Sequence, residues 1–510
     1  MNINNPAILS RTRVLVDCPI NDQGEFVLYW MTAQRRLRWN HALEHAADVA
    51  EKLEKPLIVI EPFSIDHSFA SDRLVTFVAQ GMLDNRDAFE GTGVRYIPWI
   101  ETHRERGSGL LRRVSKRACL VVIDDFPTGH PRHVMERAER ILETRLHAVD
   151  GCGVIPMSWT DKAPPLAHTF RRVVQRRVIE AISNSPKPNP LESRSSSLWM
   201  PENEYSILLE ELRFSMTPLE WLWRVSEGGA TGKSALEPLP IDHLVPSVES
   251  ARGGSKEANR LLEIFVNQRL EKYSDGRNNP SEPMTSRLSP WLHFGHISAL
   301  EVVDRVLKKG NWDPTMTPGK VTGSRNGWWG LNEASEAFLD QIITWRDLGF
   351  HFAYHRPDHA TFNSLPEWAQ MTLTEHANDP RPSYVFDELE NAETHDEIWN
   401  AAQRELRETG VIHNYLRMLW GKRILEWAPD PVTASDWMVR LNDRWALDGR
   451  DPNSYTGIFW VLGRHDRAWG PERPVFGKVR FMSSANTARK LDLKGYLNQF
   501  GTGELDTIEG

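Results

Sequence analysis

Cysteine is scarce in this sequence, and there is no excess of positive charge. The 510 residues include three cysteines, Cys18, Cys119 and Cys152, and carry a formal net charge of -8. The spacing of the thiols fits neither a zinc site nor a redox pair, so we expect free cysteines, no metal site and a cytoplasmic location. The acidic balance argues against strong non-specific DNA binding by the whole surface, but it permits a local basic patch.

Long apolar runs are absent as well. No stretch of about 18 apolar residues occurs, so no membrane span is predicted. The first residues, MNINNPAILSRTRVLVD, lack the charged start and apolar core of a signal peptide. A hydrophobic content of 40% is typical of a globular protein. The length predicts more than one domain, and we expect a monomer.

Short apolar runs alternate with helical patterns at the beginning of the chain. The candidate strands are RVLVD, FVLYWM, PLIVIEPF, GVRYIPWI and CLVVIDDF. Strands that alternate with helices predict a doubly wound parallel sheet, here in an α/β domain over residues 1–180. Such sheets bind ligands at the carboxyl ends of their strands. No G-x-G-x-x-G motif follows the first strand, so the dinucleotide fingerprint is missing.

Residues 181–252 are predicted to be an interdomain linker, because SNSPKPNPLESRSSSLWMP is rich in Pro and Ser. Within this region EGGATGKSALEPLP is similar to a phosphate loop. Glu227 stands where that motif requires its first glycine, and no apolar strand precedes it, so the match is weak. Residues 253–510 have helical spacing almost throughout, which predicts an all-α domain.

Two stretches of the helical half contain residues that a simple core does not need. Hydroxyl side chains gather near a predicted helix start in TSRLSPWLHFG, where either a phosphate or an ordinary Ser/Thr cap would fit. The helix VIHNYLRMLWGKRILEW carries Arg417 close to two tryptophans. A buried arginine needs an acid or a bound anion. An aromatic strip beside such a pair suits a flat redox-active ligand, and a Trp-rich core is the alternative.

Six stretches in order, over roughly residues 250 to 490, resemble the photolyase/cryptochrome family, and they are closest to the class II cyclobutane pyrimidine dimer photolyases. They are GGSKEANRLLEIFVNQRLEKYSDGRNNP, LSPWLHFGHIS, THDEIWNAAQ, LRMLWGKRILEW, LNDRWALDGRDPN and ERPVFGKVRFM. VLYWMTAQRRLRWNHAL, near the start, resembles the same class. The resemblance implies an antenna-type α/β domain followed by an all-helical domain that holds FAD.

The resemblance also implies which residues bind FAD and carry electrons. Arg417 and Asp448 match an ion pair beside the isoalloxazine ring. Asn442 matches the class II residue that faces flavin N5 and favours a reduced flavin. Trp399, Trp420 and Trp427 match the electron-transfer tryptophans of class II. The implied cofactor-binding residues are Tyr273, Thr285, Ser286, Leu288, Ser289, Arg346, Asn400, Arg417, Asn442, Asp448 and Asp451.

A lesion pocket is implied by the same resemblance, because photolyases extrude damaged bases and stack them against apolar or aromatic walls. The residue that hydrogen-bonds the dimer is usually Glu, and here the register offers Asp340 or Gln341. His413, Asn414 and Tyr415 stand where class II members have HGF. The implied substrate-binding residues are Gln341, Trp345, Asn414, Met418, Trp460 and Arg480. The basic residues that we expect to contact phosphates are Arg464, Arg467, Arg473, Lys478 and Arg480.

The leading functional hypothesis is light-driven repair of UV-damaged DNA, in which reduced FAD passes an electron to a cyclobutane pyrimidine dimer. A (6-4) product is an open alternative as the lesion. A cryptochrome-like sensor without repair activity is the second hypothesis, and a flavoprotein with no DNA role is the third. The short segment GTGELDTIEG at the end favours repair over signalling through a long tail. A second chromophore of the deazaflavin type would bind the N-terminal sheet.

Overall fold

A computed structural model describes residues 10–103, 107, 109–194, 198–211 and 216–502. Within these residues the chain divides into two compact units, each assembled from three segments. The first unit contains residues 1–161, 176–263 and 288–308, and the second contains 162–175, 264–287 and 309–510. Among the described residues, no helix combines the length and the apolar character that crossing a bilayer requires.

A six-stranded sheet organises the first unit. Its strands are β1 (Thr12–Val16), β2 (Phe26–Trp30), β3 (Leu57–Phe63), β4 (Arg95–Ile100), β5 (Ala118–Asp124) and β6 (Leu146–Val149). The order across the sheet is β1-β6-β5-β2-β3-β4. All neighbouring strands run parallel except β1, which pairs with β6 in the antiparallel direction at the edge. The predicted parallel sheet is confirmed, and β6 is a strand that the sequence patterns did not reveal.

Both faces of the sheet are buried, because successive side chains of β2 point to opposite sides. Phe26, Leu28 and Trp30 belong to one apolar cluster, whereas Val27 and Tyr29 belong to the other. A strand that is covered on both faces needs a continuous apolar sequence, which is what FVLYW provides. The sheet is therefore doubly covered, as the alternation of strands and helices predicts.

Helices of the first unit supply the two covering layers. They are α1 (His41–Leu53), α2 (Asp72–Phe89), α3 (Leu110–Ser115), α4 (Gly129–Ile141), the second part of α5 (Ala167–Ser183), α6 (Glu202–Glu211), α7 (Leu219–Ser226), α8 (Gly229–Leu236), most of α9 (Ser255–Ile264), α11 (Ser289–His293) and most of α12 (Ala299–Lys309). Tyr205 and Leu208 of α6 join the apolar cluster on one face of the sheet. The region predicted to be a linker thus contains three helices, and one of them belongs to the core.

The regular elements of the second unit are helices, which irregular segments connect. Its helices are α10 (Tyr273–Gly276), α13 (Glu333–Leu339), α14 (Arg346–His355), α15 (Glu367–Glu375), α16 (Phe386–Glu390), α17 (Glu397–Thr409), α18 (Asn414–Trp427), α19 (Pro431–Trp445), α20 (Pro452–Val461), α21 (Ser484–Lys490) and α22 (Lys494–Phe500). Residues Phe265–Arg269 and Asp340–Trp345 form π-helical turns. α18 packs against α17, α19 and α20, so it lies at the centre of this part of the unit.

Candidate functional site

Three helix boundaries position the candidate site, and each follows from its local sequence. α17 ends where Gly410 adopts a φ of 72°, a left-handed conformation that glycine takes without strain. α19 is capped by Asp430, whose side chain accepts hydrogen bonds from the backbone N–H groups of Val432 and Thr433, just after Pro431. α20 is capped by Asp451, whose side chain accepts from the Asn453 backbone N–H, and Pro452 is at its first position. These caps fix the loops that carry the polar residues described next.

Arg417 on α18 connects two polar side chains from α19 and the loop after it. Its Nη1 donates to Asn442 Oδ1 at 3.1 Å, and its Nη2 lies 3.3 Å from Asp448 Oδ1. The side chains of Arg417 and Asp448 are each 13% exposed. A desolvated cation is stable here because a carboxylate and an amide oxygen both face it. The structure therefore assembles three of the residues that the sequence singled out.

A second ion pair lies at the start of α20. Arg346 Nη1 is 3.7 Å from Asp451 Oδ1, and both side chains are almost fully buried. The guanidinium of Arg346 also lies over the ring of Phe350, with its Cζ 4.5 Å from the centroid. Because α14 packs against α20, this pair ties two helices of the same unit together.

Three buried tryptophans form a row on α17 and α18. Trp399 Nε1 donates to the backbone oxygen of Trp420 at 3.0 Å, and the rings of Trp399 and Trp427 are 5.4 Å apart between centroids. Trp399 and Trp427 are fully buried, and Trp420 is 2% exposed. Trp420 Nε1 donates to Gln403 Oε1 at 2.9 Å, so the indole N–H groups of Trp399 and Trp420 both have an acceptor. The row begins at Trp420, one helical turn after Arg417, and ends at Trp427, the last residue of α18.

Two residues at the far end of the row had no signal in the sequence. The rings of Tyr384 and His395 lie 5.3 Å and 5.5 Å from Trp427 between centroids. Tyr384 Oη and His395 Nδ1 are hydrogen-bonded, and His395 is exposed. Since these residues precede α17 in an irregular segment, no periodicity could have pointed to their contact with Trp427.

The predicted phosphate-binding residues between 273 and 289 are divided between the two units. Tyr273, Thr285 and Ser286 belong to the second unit, while Leu288 and Ser289 belong to the first. Tyr273 is 7% exposed, and burial raises the pKa of its hydroxyl. Thr285 and Ser286 are half-buried, Ser289 is exposed and Leu288 is buried.

One predicted cofactor residue uses its side chain locally. Asn400 Oδ1 accepts from the backbone N–H and the hydroxyl of Thr394, at 3.1 Å and 2.7 Å. Its Nδ2 donates to the backbone oxygen of Thr394 at 2.8 Å. The amide therefore closes the turn before α17, and at most one N–H is left for a ligand.

The two candidates for the residue that contacts the lesion, Asp340 and Gln341, differ in their surroundings. Asp340 forms a two-point ion pair with Arg171, at 2.7 Å from Nε and 3.0 Å from Nη2. This carboxylate is 9% exposed, so it is fully engaged within the protein. Gln341 and Trp345 of the same π-helical turn are half-buried and stay accessible on one side.

Aromatic and basic side chains alternate near the end of α20. Trp460 is half-buried, and Arg480 Cζ lies 5.8 Å from its ring centroid. Arg480 Cζ is also 5.1 Å from the Trp469 ring, over which Arg467 lies at 4.7 Å. We call Trp460, Arg480, Trp469 and Arg467 the Trp–Arg ladder. Both arginines are exposed, as are Arg473 and Lys478.

The expectation that Arg464 contacts phosphates is wrong. Its guanidinium lies between the rings of Phe352 and Phe459, at 4.5 Å and 4.3 Å from their centroids, and donates to the His359 backbone oxygen at 2.6 Å. Arg464 is 2% exposed, and burial lowers its pKa to about 9. A side chain enclosed in this way holds the core of the unit together and cannot reach DNA.

Two other predicted substrate residues border α18. Asn414, its first residue, is exposed, and Met418, one turn later, is half-buried. Met418 is adjacent to Arg417 in sequence, so one helical turn carries both a predicted flavin contact and a predicted lesion contact.

Comparison with known proteins identifies the family. No protein-family model matches the chain. The deoxyribodipyrimidine photo-lyase of Methanothermobacter thermautotrophicus is 32% identical over 480 residues, which cover 94% of this chain and 95% of that protein. The chain belongs to the photolyase/cryptochrome family.

Two solved members of the wider family have the same fold. A cryptochrome of Synechocystis superposes with a TM-score of 0.66 at 15% identity, over 95% of this chain and 89% of that chain. An archaeal photolyase of Sulfolobus tokodaii, solved with two FAD molecules, gives 0.64 at 16% identity, over 95% and 91% of the two chains. At these identities the two structures support the fold alone, and the class II assignment stays a prediction.

The residues of the second unit fit the flavin that the family implies. His413, at the start of α18, is 8% exposed, and its Nδ1 has no hydrogen-bond partner. Its Nε2 contacts the Arg277 backbone oxygen at 3.1 Å, and burial lowers the pKa of His413 to about 4, so the ring is neutral at pH 7. A buried nitrogen without a partner, close in sequence to the partly exposed Arg417, is what a missing polar ligand would leave.

At the carboxyl ends of β2 and β5, a buried carboxylate is bound entirely by donors of the protein. Asp124 at the end of β5 accepts from the backbone N–H groups of Thr32, Ala33 and Gln34, at 2.8, 2.6 and 3.0 Å. Its other oxygen accepts from Tyr29 Oη at 2.8 Å and from the Gln34 side chain at 2.9 Å. Every acceptor site of this carboxylate is filled by the protein, so Asp124 has none left for a ligand.

Proposed function

We propose that this protein is a deoxyribodipyrimidine photo-lyase that repairs cyclobutane pyrimidine dimers in UV-damaged DNA with light and FAD. The observation that carries the proposal is the Arg417–Asn442–Asp448 cluster, which lies in one helical unit with the tryptophan row and the Trp–Arg ladder. A relative that covers most of the chain has the name of this activity.

When bound, reduced FAD supplies the electron that light drives into the dimer and that returns after the ring has split. Arg417, balanced by Asp448, would hold the flavin ring system without leaving an unpaired buried charge. Asn442 would contact the same ring from α19. Arg346, Asp451 and the loop containing Thr285 and Ser286 would hold the rest of the cofactor.

The tryptophan row would bring electrons to the cofactor and keep it reduced. Trp420 is on the helix that carries Arg417, and Trp399 joins it to Trp427 through a hydrogen bond and a ring contact. Tyr384 and His395 extend this contact chain to an exposed imidazole, where an external reductant can reach it. Short ring-to-ring contacts within a dry interior suit electron transfer because little solvent has to reorganise around each charge.

Lesion recognition would use apolar and amide groups more than a carboxylate. Trp345 and Trp460 are half-buried aromatic side chains that can stack on extruded bases. Gln341 would hydrogen-bond the dimer, because Asp340 is bound to Arg171. The exposed arginines of the Trp–Arg ladder would contact the phosphates beside the lesion.

A cryptochrome-like light sensor is the second candidate, and one observation favours it. Gln341 supplies no carboxyl group at the position where the family usually hydrogen-bonds the dimer with Glu, and Asp340 cannot replace it. In that case FAD and the tryptophan row would be kept and dimer splitting lost. A deazaflavin-type antenna, a monomeric state and a cytoplasmic location stay predictions from the sequence.

Binding titrations of damaged and undamaged duplexes at two salt concentrations test the proposal. Trp460→Ala should weaken binding to dimer-containing DNA and leave undamaged DNA unaffected, because stacking on a base is worth about 1–3 kcal/mol and only an extruded base reaches this ring. Arg480→Ala should weaken both and reduce the salt dependence by about one phosphate contact.

Trp437→Ala serves as the matched control, since Trp437 is half-buried on α19 and packs against Phe386 away from the ladder. Equal affinity of the wild type for damaged and undamaged duplexes would rule out the lesion pocket. The light-sensor candidate would then be the surviving hypothesis.

A further inference from the structure

Every hydrogen-bonding group of the Asn442 side chain but one is engaged by the protein. Both amide hydrogens are used, because Nδ2 contacts Ser454 Oγ at 2.7 Å and Asp443 Oδ1 at 3.2 Å. The oxygen Oδ1 accepts one hydrogen bond, from Arg417 at 3.1 Å, and an amide oxygen can accept two. A ligand next to this 3% exposed side chain would therefore meet an acceptor and no donor.

Neighbours of opposite kind fix this orientation. A guanidinium such as that of Arg417 can only donate, and an ionised carboxylate such as that of Asp443 can only accept. Rotating the amide of Asn442 by half a turn would place two donors face to face at Arg417 and two acceptors face to face at Asp443. The orientation thus follows from the chemistry of the partners and does not depend on how the amide atoms are labelled.

Asp443 is itself held in its acceptor role. Its Oδ2 accepts from Tyr455 Oη at 2.7 Å, and its Oδ1 accepts from the Arg450 backbone N–H at 2.8 Å. Burial raises the pKa of Asp443, and the Arg450 guanidinium and the Tyr455 hydrogen bond oppose that rise. The hydrogen bonds from Tyr455, the Arg450 backbone and Asn442 each favour the charged form and offset part of the rise that burial causes.

We propose that Asp443 and Ser454 are positioning residues that hold the Asn442 amide with its oxygen free, so that the site favours a reduced flavin over an oxidised one. A reduced flavin carries an N–H at N5, which can donate to a free oxygen, whereas the oxidised ring offers only an acceptor nitrogen there. This inference rests on the proposed function, which places Asn442 next to the flavin. It assigns the preference to two residues that touch only the amide and its neighbours.

The test compares Ser454→Ala with wild-type holoprotein. Removing the Ser454 hydroxyl leaves one amide hydrogen without an acceptor, so the amide is held by Asp443 and Arg417 alone. It can then turn its nitrogen toward an oxidised ring more often and stabilise that ring by donating to it. FAD content should equal that of the wild type, the midpoint potential of the bound FAD should be lower, and reduced FAD should reoxidise in the dark about two- to tenfold faster, the worth of one hydrogen bond. Asp443→Asn, which removes the obligatory acceptor, should change both quantities in the same direction.

Ser435→Ala is the matched control, because Ser435 is fully buried on α19 and bonds only the Val432 backbone oxygen at 2.7 Å. It should leave the potential and the reoxidation rate unchanged. If Ser454→Ala keeps its FAD with the wild-type potential and rate, the inference is wrong even if Asp443→Asn fails to fold. Loss of FAD from Ser454→Ala would also overturn it, since the residue would then act on binding. A wild-type protein that takes up no FAD would instead reject the proposed function itself.

Discussion

Arg417 satisfies two different acceptors with one buried guanidinium. Asp448 balances its charge, and Asn442 accepts a second hydrogen bond without adding charge. Because both partners of the ion pair are largely removed from water, each depends on the other. The cluster therefore contributes to folding as well as to any bound ligand.

Arg417→Ala should lower both FAD retention and stability. Asp448 would stay partly buried without its cation, which costs about 1–3 kcal/mol of unfolding free energy, and more if water cannot enter. Denaturant titration and the ratio of bound flavin to protein measure the two effects. Arg356→Ala is the control, because Arg356 and Asp358 form an exposed pair in the same unit, worth at most about 1 kcal/mol. An Arg417→Ala protein as stable as this control would contradict a structural role for the pair.

Gln341 gives a second prediction at the residue scale. Gln341→Glu should increase the quantum yield of dimer splitting, since a carboxyl group would then be available to hydrogen-bond the lesion. Asp340→Asn should leave lesion contacts unchanged and lower the unfolding free energy, because Arg171 would lose its charged partner. Repair assays and denaturant titration of both variants separate the two roles. A loss of lesion affinity in Asp340→Asn at unchanged stability would place the acid register at 340.

For single residues, the sequence does not show whether a side chain points into the core or toward solvent. Arg464 was grouped with exposed basic residues because it is close to them in the chain, yet it is enclosed by Phe352 and Phe459. Asp340 and Gln341 are neighbours in sequence, and the π-helical turn that separates their directions has no sequence signature of its own. A buried arginine indicates that Arg417 needs a partner, and the resemblance to the family is what identifies Asn442 and Asp448 as its neighbours.

At the scale of elements, α17 and α18 share the tryptophan row. Trp399 contributes from one helix, and Trp420 and Trp427 contribute from the other, two turns apart. The contact of Trp399 with both of its neighbours makes it the connecting residue.

Replacing any of these three tryptophans by Phe should slow photoreduction of oxidised FAD several-fold or more. Phenylalanine keeps most of the packing but is harder to oxidise, and Trp399→Phe interrupts the row at its centre. Flavin absorbance under illumination with an external reductant measures the rate. Trp437→Phe is the control, because Trp437 is outside the row. If all three variants reduce as fast as the control, electrons take another route.

α18 is also joined to the end of α20 by a buried lysine. Lys422 is 1% exposed and donates to the Val461 backbone oxygen, one of the carbonyls that a helix end leaves without an internal partner. Burial lowers the pKa of Lys422 from 10.5 to about 7. Trp460 immediately precedes Val461, so this contact fixes the base of a proposed lesion wall.

The lowered pKa predicts how stability depends on pH. The unfolded chain keeps the Lys422 proton up to its ordinary pKa, whereas the folded protein releases it near neutrality. Between these values the unfolded state binds more protons, so this residue's contribution to stability rises as pH increases from 7 to 10.5.

The stability difference between wild type and Lys422→Met should therefore change in favour of the wild type from about pH 6 to about pH 9. Denaturant titrations at the two pH values measure it. Lys494→Met, at an exposed position, should show no such change. A difference that is constant with pH would mean that the Lys422 amine titrates normally.

Apolar runs predict most of the strands, and helical spacing predicts most of the helices. Five strands of the sheet were visible as apolar runs, because a sheet covered on both faces needs them. β6 was not, since its four residues, LHAV, include a histidine and are too few for a pattern. The helices from 202 to 236 were hidden by the Pro- and Ser-rich residues around them, although α6 joins the core of the sheet.

At the scale of the whole molecule, one unit contains nearly every residue proposed to act. The Arg417 cluster, the tryptophan row and the Trp–Arg ladder all belong to the second unit, and only Leu288 and Ser289 of the predicted flavin contacts belong to the first. The family membership rests on a match over 94% of the chain, so it covers both units. The proposed function is therefore a property of the whole protein, in which light absorbed by the flavin would repair DNA.

Illumination of the purified holoprotein with dimer-containing DNA tests that claim most directly. Under blue light with FAD reduced, the account predicts that dimers disappear and intact pyrimidines return over many turnovers, while a dark sample shows no change. Trp460→Ala should need more DNA to reach the same rate, because it binds the lesion more weakly. A flavin-loaded, reduced protein that leaves both cyclobutane dimers and (6-4) products unchanged under light would contradict the repair account.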